Sequence, residues 1–229
     1  MKIWQRIKAL FFWIEFILSI IILCIFFLIF SSQEKIWKLR KYWAKIQKHI
    51  INYKIISIGT LHPQANLLLI NHQSLLDIIA LEDLSSKNIS WIAKKELGEI
   101  PIFKTIIKKP KIICIDRNPK GLIKLLKEAK QRLDEGRILA IFPEGTRSNT
   151  QQLLKFKIGA KVLSDKLNLK VQPVVIVDSA KILDTKTFCA KSGKLKVIFL
   201  DLIDTNKKNW LEEARNIMQK TLDDQRKKI

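Results

Sequence analysis

The chain has 229 residues, enough to bury one full hydrophobic core, so one catalytic-sized domain with an appendage is expected. Lys and Arg number 42 against 21 Asp and Glu, a formal charge of +21. Such a surface favours anionic partners, either nucleic acid or anionic lipid headgroups. Most of the excess is lysine, which an AT-rich genome also produces, so charge alone assigns no role. Cys24, Cys114 and Cys189 lie far apart in apolar or strand-like surroundings, which argues against a disulfide framework and a zinc site. They read as buried thiols facing a reducing compartment.

Residues 9–30 contain one strongly polar side chain, Glu15. Roughly 20 apolar residues suffice to cross a bilayer core. The run exceeds the roughly 7–15 residues of a signal-peptide core and ends in Ile29-Phe30-Ser31-Ser32, not a small-x-small cleavage site. Next, Ile36, Leu39, Trp43, Ile46 and Ile50 recur at helical spacing among Lys35, Lys38, Lys41, Lys45 and Lys48, the pattern of an amphipathic helix in the headgroup region. Lys2, Arg6 and Lys8 precede the apolar run and a denser basic cluster follows it. That asymmetry favours a cytosolic body at the inner (cytoplasmic) membrane, and basic flanks on both sides also fit a monotopic hairpin. Residues 1–50 therefore read as a membrane-associated helix pair, and residues 51–229 as the catalytic body.

From Tyr53 onward, strand-like and helix-like stretches alternate, which predicts an α/β fold: a mostly parallel to mixed sheet flanked by helices. Strands are expected at 54–58, 67–70, 89–93, 112–115, 138–142, 171–177 and 195–200. A helix is expected over 119–135, with Asn118 as its cap, Pro119 at its first position and Gly136 at its end. A last helix is expected from about Asn209, through Leu211, Ala214, Ile217, Met218 and Leu222.

Two motifs follow expected strands. In Asn71-His72-Gln73-Ser74-Leu75-Leu76-Asp77, residues five apart on a continuous helix would be turned about 140° from each other and could not touch. His72 and Asp77 meet if His72 lies in the turn and Asp77 in the first turns of a helix beginning near Ser74. Asp77 would then fix one ring nitrogen and leave the other as a general base. An incidental histidine in a capped turn remains the plain alternative. The second motif is Phe142-Pro143-Glu144-Gly145-Thr146-Arg147-Ser148. Gly145 lets the backbone turn sharply, Thr146 and Ser148 offer hydroxyls, and Arg147 can fork two phosphate oxygens. Glu144 would repel a phosphate, so it is expected to contact acceptor hydroxyls or hold Arg147. Arg117, in Ile115-Asp116-Arg117, and Lys94-Lys95-Glu96-Leu97 also follow expected strands. If the strands run parallel, all four segments emerge at one sheet edge, where open α/β folds build their sites.

These residues resemble the 1-acylglycerol-3-phosphate acyltransferase (lysophosphatidate acyltransferase) family. The likeness rests on Asn71–Asp77, Lys95-Glu96-Leu97 with Ile100-Pro101 and Ile115-Asp116-Arg117, then 142–148, then Val171-Gln172-Pro173-Val174. The chain departs from the family pattern in having Lys104 and Lys111 where glycines are frequent, and Gln172 between Val171 and Pro173. The resemblance implies transfer of an acyl chain from acyl-CoA or acyl carrier protein to the sn-2 hydroxyl of lysophosphatidate, giving phosphatidate at an anionic membrane surface. It implies His72 as base and Asp77 as its orienter, with Arg117 and the Glu144, Gly145, Thr146, Arg147 turn binding the glycerol phosphate. No cofactor, metal or specific nucleic acid is expected. Two other readings stand beside it: the same reaction on another lysophospholipid or an amino-lipid, and a membrane-tethered nucleic-acid binder. The last needs aromatics among the basic residues, whereas most aromatics fall within residues 1–43.

Overall fold

Apolar runs that do not alternate with polar residues form the middle of one sheet, because helices cover both of its faces. The computed structural model describes residues 2–99, 101–116, 119–148 and 150–228. It opens with helices α1 (Lys2–Ile29) and α2 (Gln33–Ile51), strands β1 (Tyr53–Ile58) and β2 (Leu67–Ile70), and helix α3 (Leu76–Leu84). β3 (Ile89–Lys94), α4 (Lys95–Glu99), α5 (Pro101–Lys108), β4 (Ile113–Ile115), α6 (Pro119–Asp134) and β5 (Ile138–Ile141) follow. The chain ends with α7 (Gly159–Leu167), β6 (Val171–Val177), a hairpin of β7 (Leu183–Asp184) and β8 (Cys189–Ala190), β9 (Gly193–Phe199) and α8 (Trp210–Arg226).

The main sheet runs β1-β9-β6-β2-β5-β3-β4. β6, β2, β5, β3 and β4 pair in parallel, with Leu68 opposite Ala140 and Gln172; β9 is antiparallel to β6, and β1 is parallel to β9. This is the expected mixed sheet, and its parallel centre sends β2, β3, β4, β5 and β6 to one edge. Alternate residues serve opposite faces. Leu68, Ile70, Ala140 and Val174 pack in one core with Ala9, Phe12 and Phe16 of α1, Ala44 of α2, and Leu76 and Ile79 of α3. Leu67, Leu69, Leu139 and Val175 pack in the other with Leu125 of α6, Leu163 of α7, and Trp210, Ala214, Met218 and Leu222 of α8.

Helix α1 buries Ala9, Phe12, Phe16, Ile20, Leu23 and Phe27 and leaves Leu10, Phe11, Ile14, Leu18, Ile25 and Leu28 exposed. It is long and apolar enough to cross a membrane. Helix α2 differs from the expected stripe. It buries Ile36, Arg40, Ala44, Gln47 and Ile51, while Ile46 and Ile50 are exposed. The rotation follows from Arg40, which pairs with the buried carboxylate of Glu82 on α3 and also donates to Ile89 O at 3.1 Å. The three cysteines are free and half-buried, not fully enclosed.

Two of the three departures from the family pattern have local reasons, and the third, Lys104, is exposed on α5. Gln172 is 2% exposed, donates to Thr60 O and Leu200 O, and accepts from His62 N at 2.9 Å, so it ties the loop before β2 to β6. Lys111 has φ +60° and ends α5 in a Schellman arrangement, with Ile112 N donating to Ile107 O and Lys111 N to Lys108 O. The expected Asn118 cap, Arg117 and Ile100 lie outside the described residues.

Candidate active site

The first motif sits where β2 ends. Asn71 continues the ladder with its side chain: Nδ2 donates to Ile176 O at 2.9 Å and Oδ1 accepts from Ile176 N at 2.7 Å. That pins the start of the turn to β6. Helix α3 begins at Leu76 with Leu75 at its cap position, slightly later than the sequence suggests. Ser74 still serves this end: its Oγ accepts from Leu76 N at 3.2 Å and donates to Leu183 O at 2.6 Å.

Asp77, fully buried, reaches back from the first turn of α3. Its Oδ2 accepts from Gln73 N at 2.7 Å, Ser74 N at 2.9 Å and His72 Nδ1 at 2.8 Å. Charge-assisted bonds of this kind contribute about 1.5–3 kcal/mol each, which offsets the desolvation of a buried carboxylate. The carboxylate acceptor places a proton on Nδ1, so in the neutral imidazole it selects the tautomer whose lone pair is on Nε2. The imidazole is 12% exposed and stacks on Phe142, with centroids 3.8 Å apart and planes 14° from parallel. Phe142 in turn stacks on Trp91 at 5.5 Å. Two sides of the ring are thus fixed, by a carboxylate and by an aromatic face.

The second motif leaves β5 at the same edge and touches the first through the backbone: Ser148 N donates to His72 O at 2.8 Å. The described residues between β5 and α7, 142–148 and 150–158, have no regular structure, and long connections of this type commonly carry function. Gly145 closes the turn, its N–H donating to Phe142 O at 3.0 Å with φ +69°. Thr146 is exposed, and Arg147 is half-buried with Nη1 donating to Thr185 Oγ1 at 3.0 Å. Arg147 is therefore braced by the segment joining β7 to β8, which the sequence reading did not anticipate.

Glu144 sits differently from expectation. It is 2% exposed and turned inward; Oε1 accepts from His72 N and Oε2 from Leu154 N, both at 2.9 Å. Burial raises its carboxyl above the ordinary range, against the lowering effect of these two amides. The carboxylate joins the two motifs at their backbones and is not aimed at solvent. Arg117, expected at this edge, lies outside the described residues. At the end of β3, Lys95 is exposed and lies 3.6 Å from both Glu99 and Asp116.

An imidazole oriented through Nδ1, beside a turn carrying Thr146 and Arg147, can in its neutral form deprotonate a hydroxyl whose neighbouring phosphate is held by the guanidinium. Among the described residues no group of His, Cys, Asp and Glu is arranged to hold a metal ion.

Comparison with known proteins fits this geometry. Residues 54–177 match the acyltransferase family model. A 1-acyl-sn-glycerol-3-phosphate acyltransferase of Helicobacter pylori is 44% identical over 167 residues, covering 71% of this chain and 70% of that protein. The chloroplastic LPAT1 of Arabidopsis thaliana, with the same activity in its name, is 31% identical over 67% of this chain and 44% of its own longer length. A lyso-ornithine lipid O-acyltransferase of Brucella abortus is 29% identical over 56% of this chain and 49% of its own length. In fold, the crystal structure of PlsC from Thermotoga maritima superposes with a TM-score of 0.80 at 19% identity, covering 98% of this chain and 97% of that one. The chain belongs to the acyltransferase family, among the 1-acyl-sn-glycerol-3-phosphate O-acyltransferases.

Proposed function

We propose that the protein transfers an acyl chain from a thioester donor, acyl-CoA or acyl carrier protein, to the sn-2 hydroxyl of 1-acylglycerol 3-phosphate, forming phosphatidate. The observation that carries this reading is the 2.8 Å contact between His72 Nδ1 and Asp77 Oδ2, set one residue's reach from Arg147 by the bond between Ser148 and His72. His72 Nε2 takes the hydroxyl proton as the oxygen attacks the thioester carbonyl. The tetrahedral intermediate collapses, the C–S bond breaks, and the thiolate recovers the proton from the imidazolium. A thioester already has a good leaving group, so no covalent enzyme intermediate is needed. Asp77 orients the imidazole. Gly145, Thr146, Arg147 and Arg117 hold the glycerol phosphate, and Glu144 serves that turn from behind. The body works on the cytosolic side of the cytoplasmic membrane, where both substrates meet.

Replacing His72 by Ala tests the assignment. Transfer from acyl-CoA to lysophosphatidate is expected to fall about 10²- to 10⁴-fold, with the melting temperature little changed. Activity within a few-fold of the parent would remove His72 from the reaction. Similarity to the lyso-ornithine lipid acyltransferase supports a second reading, in which the acceptor carries no phosphate monoester. Arg147→Ala separates the two: a raised KM for lysophosphatidate alone favours the phosphate acceptor, and an unchanged KM favours the other.

A further inference from the structure

A run of hydrogen bonds that begins outside the region matched by the family model leads to His72. Helix α8 buries Trp210, Ala214, Met218 and Leu222. On the adjoining face Arg215, Gln219 and Arg226 recur at i, i+4 and i+11, which fall in line along a helix. All three reach the segment 151–154. Arg215 Nε donates to Leu154 O at 3.1 Å and its Nη2 to Leu153 O. Gln219 Oε1 accepts from Leu153 N at 2.7 Å, and Arg226 Nη1 donates to Gln151 O. Leu154 then gives its N–H to Glu144, whose other oxygen takes the N–H of His72.

We propose that Arg215 and Gln219 are positioning residues for acyl transfer: by fixing residues 153 and 154 they hold Glu144 against the His72 backbone. The proposal rests on the reading of His72 as base. Its physical ground is that an enclosed carboxylate needs its two amide donors. Without the Leu154 N–H, Glu144 loses half of the hydrogen bonding that offsets its burial, and it gains a proton more readily. A protonated Glu144 no longer draws both amides, so the His72 backbone and the Ser148 turn lose their common anchor. A misplacement of about 1 Å at the base is enough to slow a reaction about 100-fold.

The test uses the full chain with acyl-CoA and lysophosphatidate in lipid vesicles. Arg215→Met is expected to lower kcat about 10- to 100-fold while both KM values stay within about twofold, the sign of lost transition-state positioning. Arg215→Lys, which can still reach one carbonyl, is expected to recover part of kcat. In a His72→Ala background Arg215→Met is expected to cause no further loss, because both changes disable the same group. If Arg215→Met fails to fold, Gln219→Met, which removes the acceptor for Leu153 N together with the amide donors to Gln151 O and Asp223 Oδ1, carries the same comparison. A folded Arg215→Met enzyme with parental kcat overturns the proposal. So does an equal further loss in the His72→Ala background, which would place Arg215 outside the path to His72. Full activity of His72→Ala alone instead overturns the base assignment, a result the Arg215 variants do not imitate.

Discussion

Asp77 shows how one side chain sets the chemistry of another. Three donors converge on a single oxygen, and two of them are backbone amides that hold the carboxylate in place. Asp77→Asn cannot accept from all three with the same geometry, and its amide offers a donor that selects the wrong imidazole tautomer. The expected result is a fall in kcat of about 10²- to 10⁴-fold, similar to loss of the histidine, with a smaller stability cost of about 1–3 kcal/mol, read by steady-state kinetics and thermal melting. Gly145 is constrained by conformation: φ is +69°, and an added Cβ would lie 3.0 Å from the Lys157 side chain. That side chain can move, whereas the left-handed backbone cannot be avoided, so Gly145→Ala should cost about 1–2 kcal/mol in stability and loosen the turn that carries Arg147.

At the scale of elements, α2 and α8 clasp the site from opposite faces of the sheet. Trp91 Nε1 donates to Glu82 Oε1 at 2.6 Å, and Glu82 is paired with Arg40 of α2. The same Trp91 stacks on Phe142, which stacks on His72. Arg40→Met leaves Glu82 enclosed without its cation, an expected loss of about 3–5 kcal/mol, and the added change Glu82→Gln should recover much of it in chemical denaturation. On the other face, Asp178 at the end of β6 binds Arg226 of α8 at 2.9 and 2.8 Å and Lys181 at 2.7 Å. Burial works against its ionisation, but the two cations outweigh it and hold the carboxyl below the usual range. A lowered carboxyl contributes stability above its unfolded value, near 3.9, and loses it as pH falls through the folded one. Asp178→Asn should therefore melt below the parent at pH 7, and the gap should narrow as pH falls below the unfolded value. These clasps explain what was legible. Runs such as 67–70 and 171–177 declare buried strands because both faces are covered, and the Asn71–Asp77 turn is readable because its partners lie within a few residues. Glu144 was not readable, since its donors are amides at 72 and 154. Nor was Arg40, whose partner is Glu82, or the β7–β8 hairpin, whose strands are too short to show a period.

At the scale of the whole molecule, the body and α2 cover only one side of α1. Its outward side presents Leu10, Phe11, Ile14, Leu18, Ile21, Ile25 and Leu28, each more than 40% exposed. A continuous apolar face of that length is not stable in water and fits a lipid environment. The +21 charge adds a second attraction, toward anionic headgroups, and salt separates the two. At 1 M salt the screening length falls to about 3 Å, which removes the attraction of exposed lysines and leaves apolar insertion intact. The chain should therefore stay on anionic vesicles through a 1 M wash. Replacing Leu18 and Ile21 by Arg puts two charges on the outward face, each costing about 2.5–3.5 kcal/mol in a helix centre, and should release it. The same variant should lose turnover on vesicle-borne lysophosphatidate and keep it on a short-chain acceptor dissolved as monomers, because the His72–Asp77 pair lies in the body and not on α1. Release of the parent protein by salt alone would show that charge, not the apolar helix, carries the attachment.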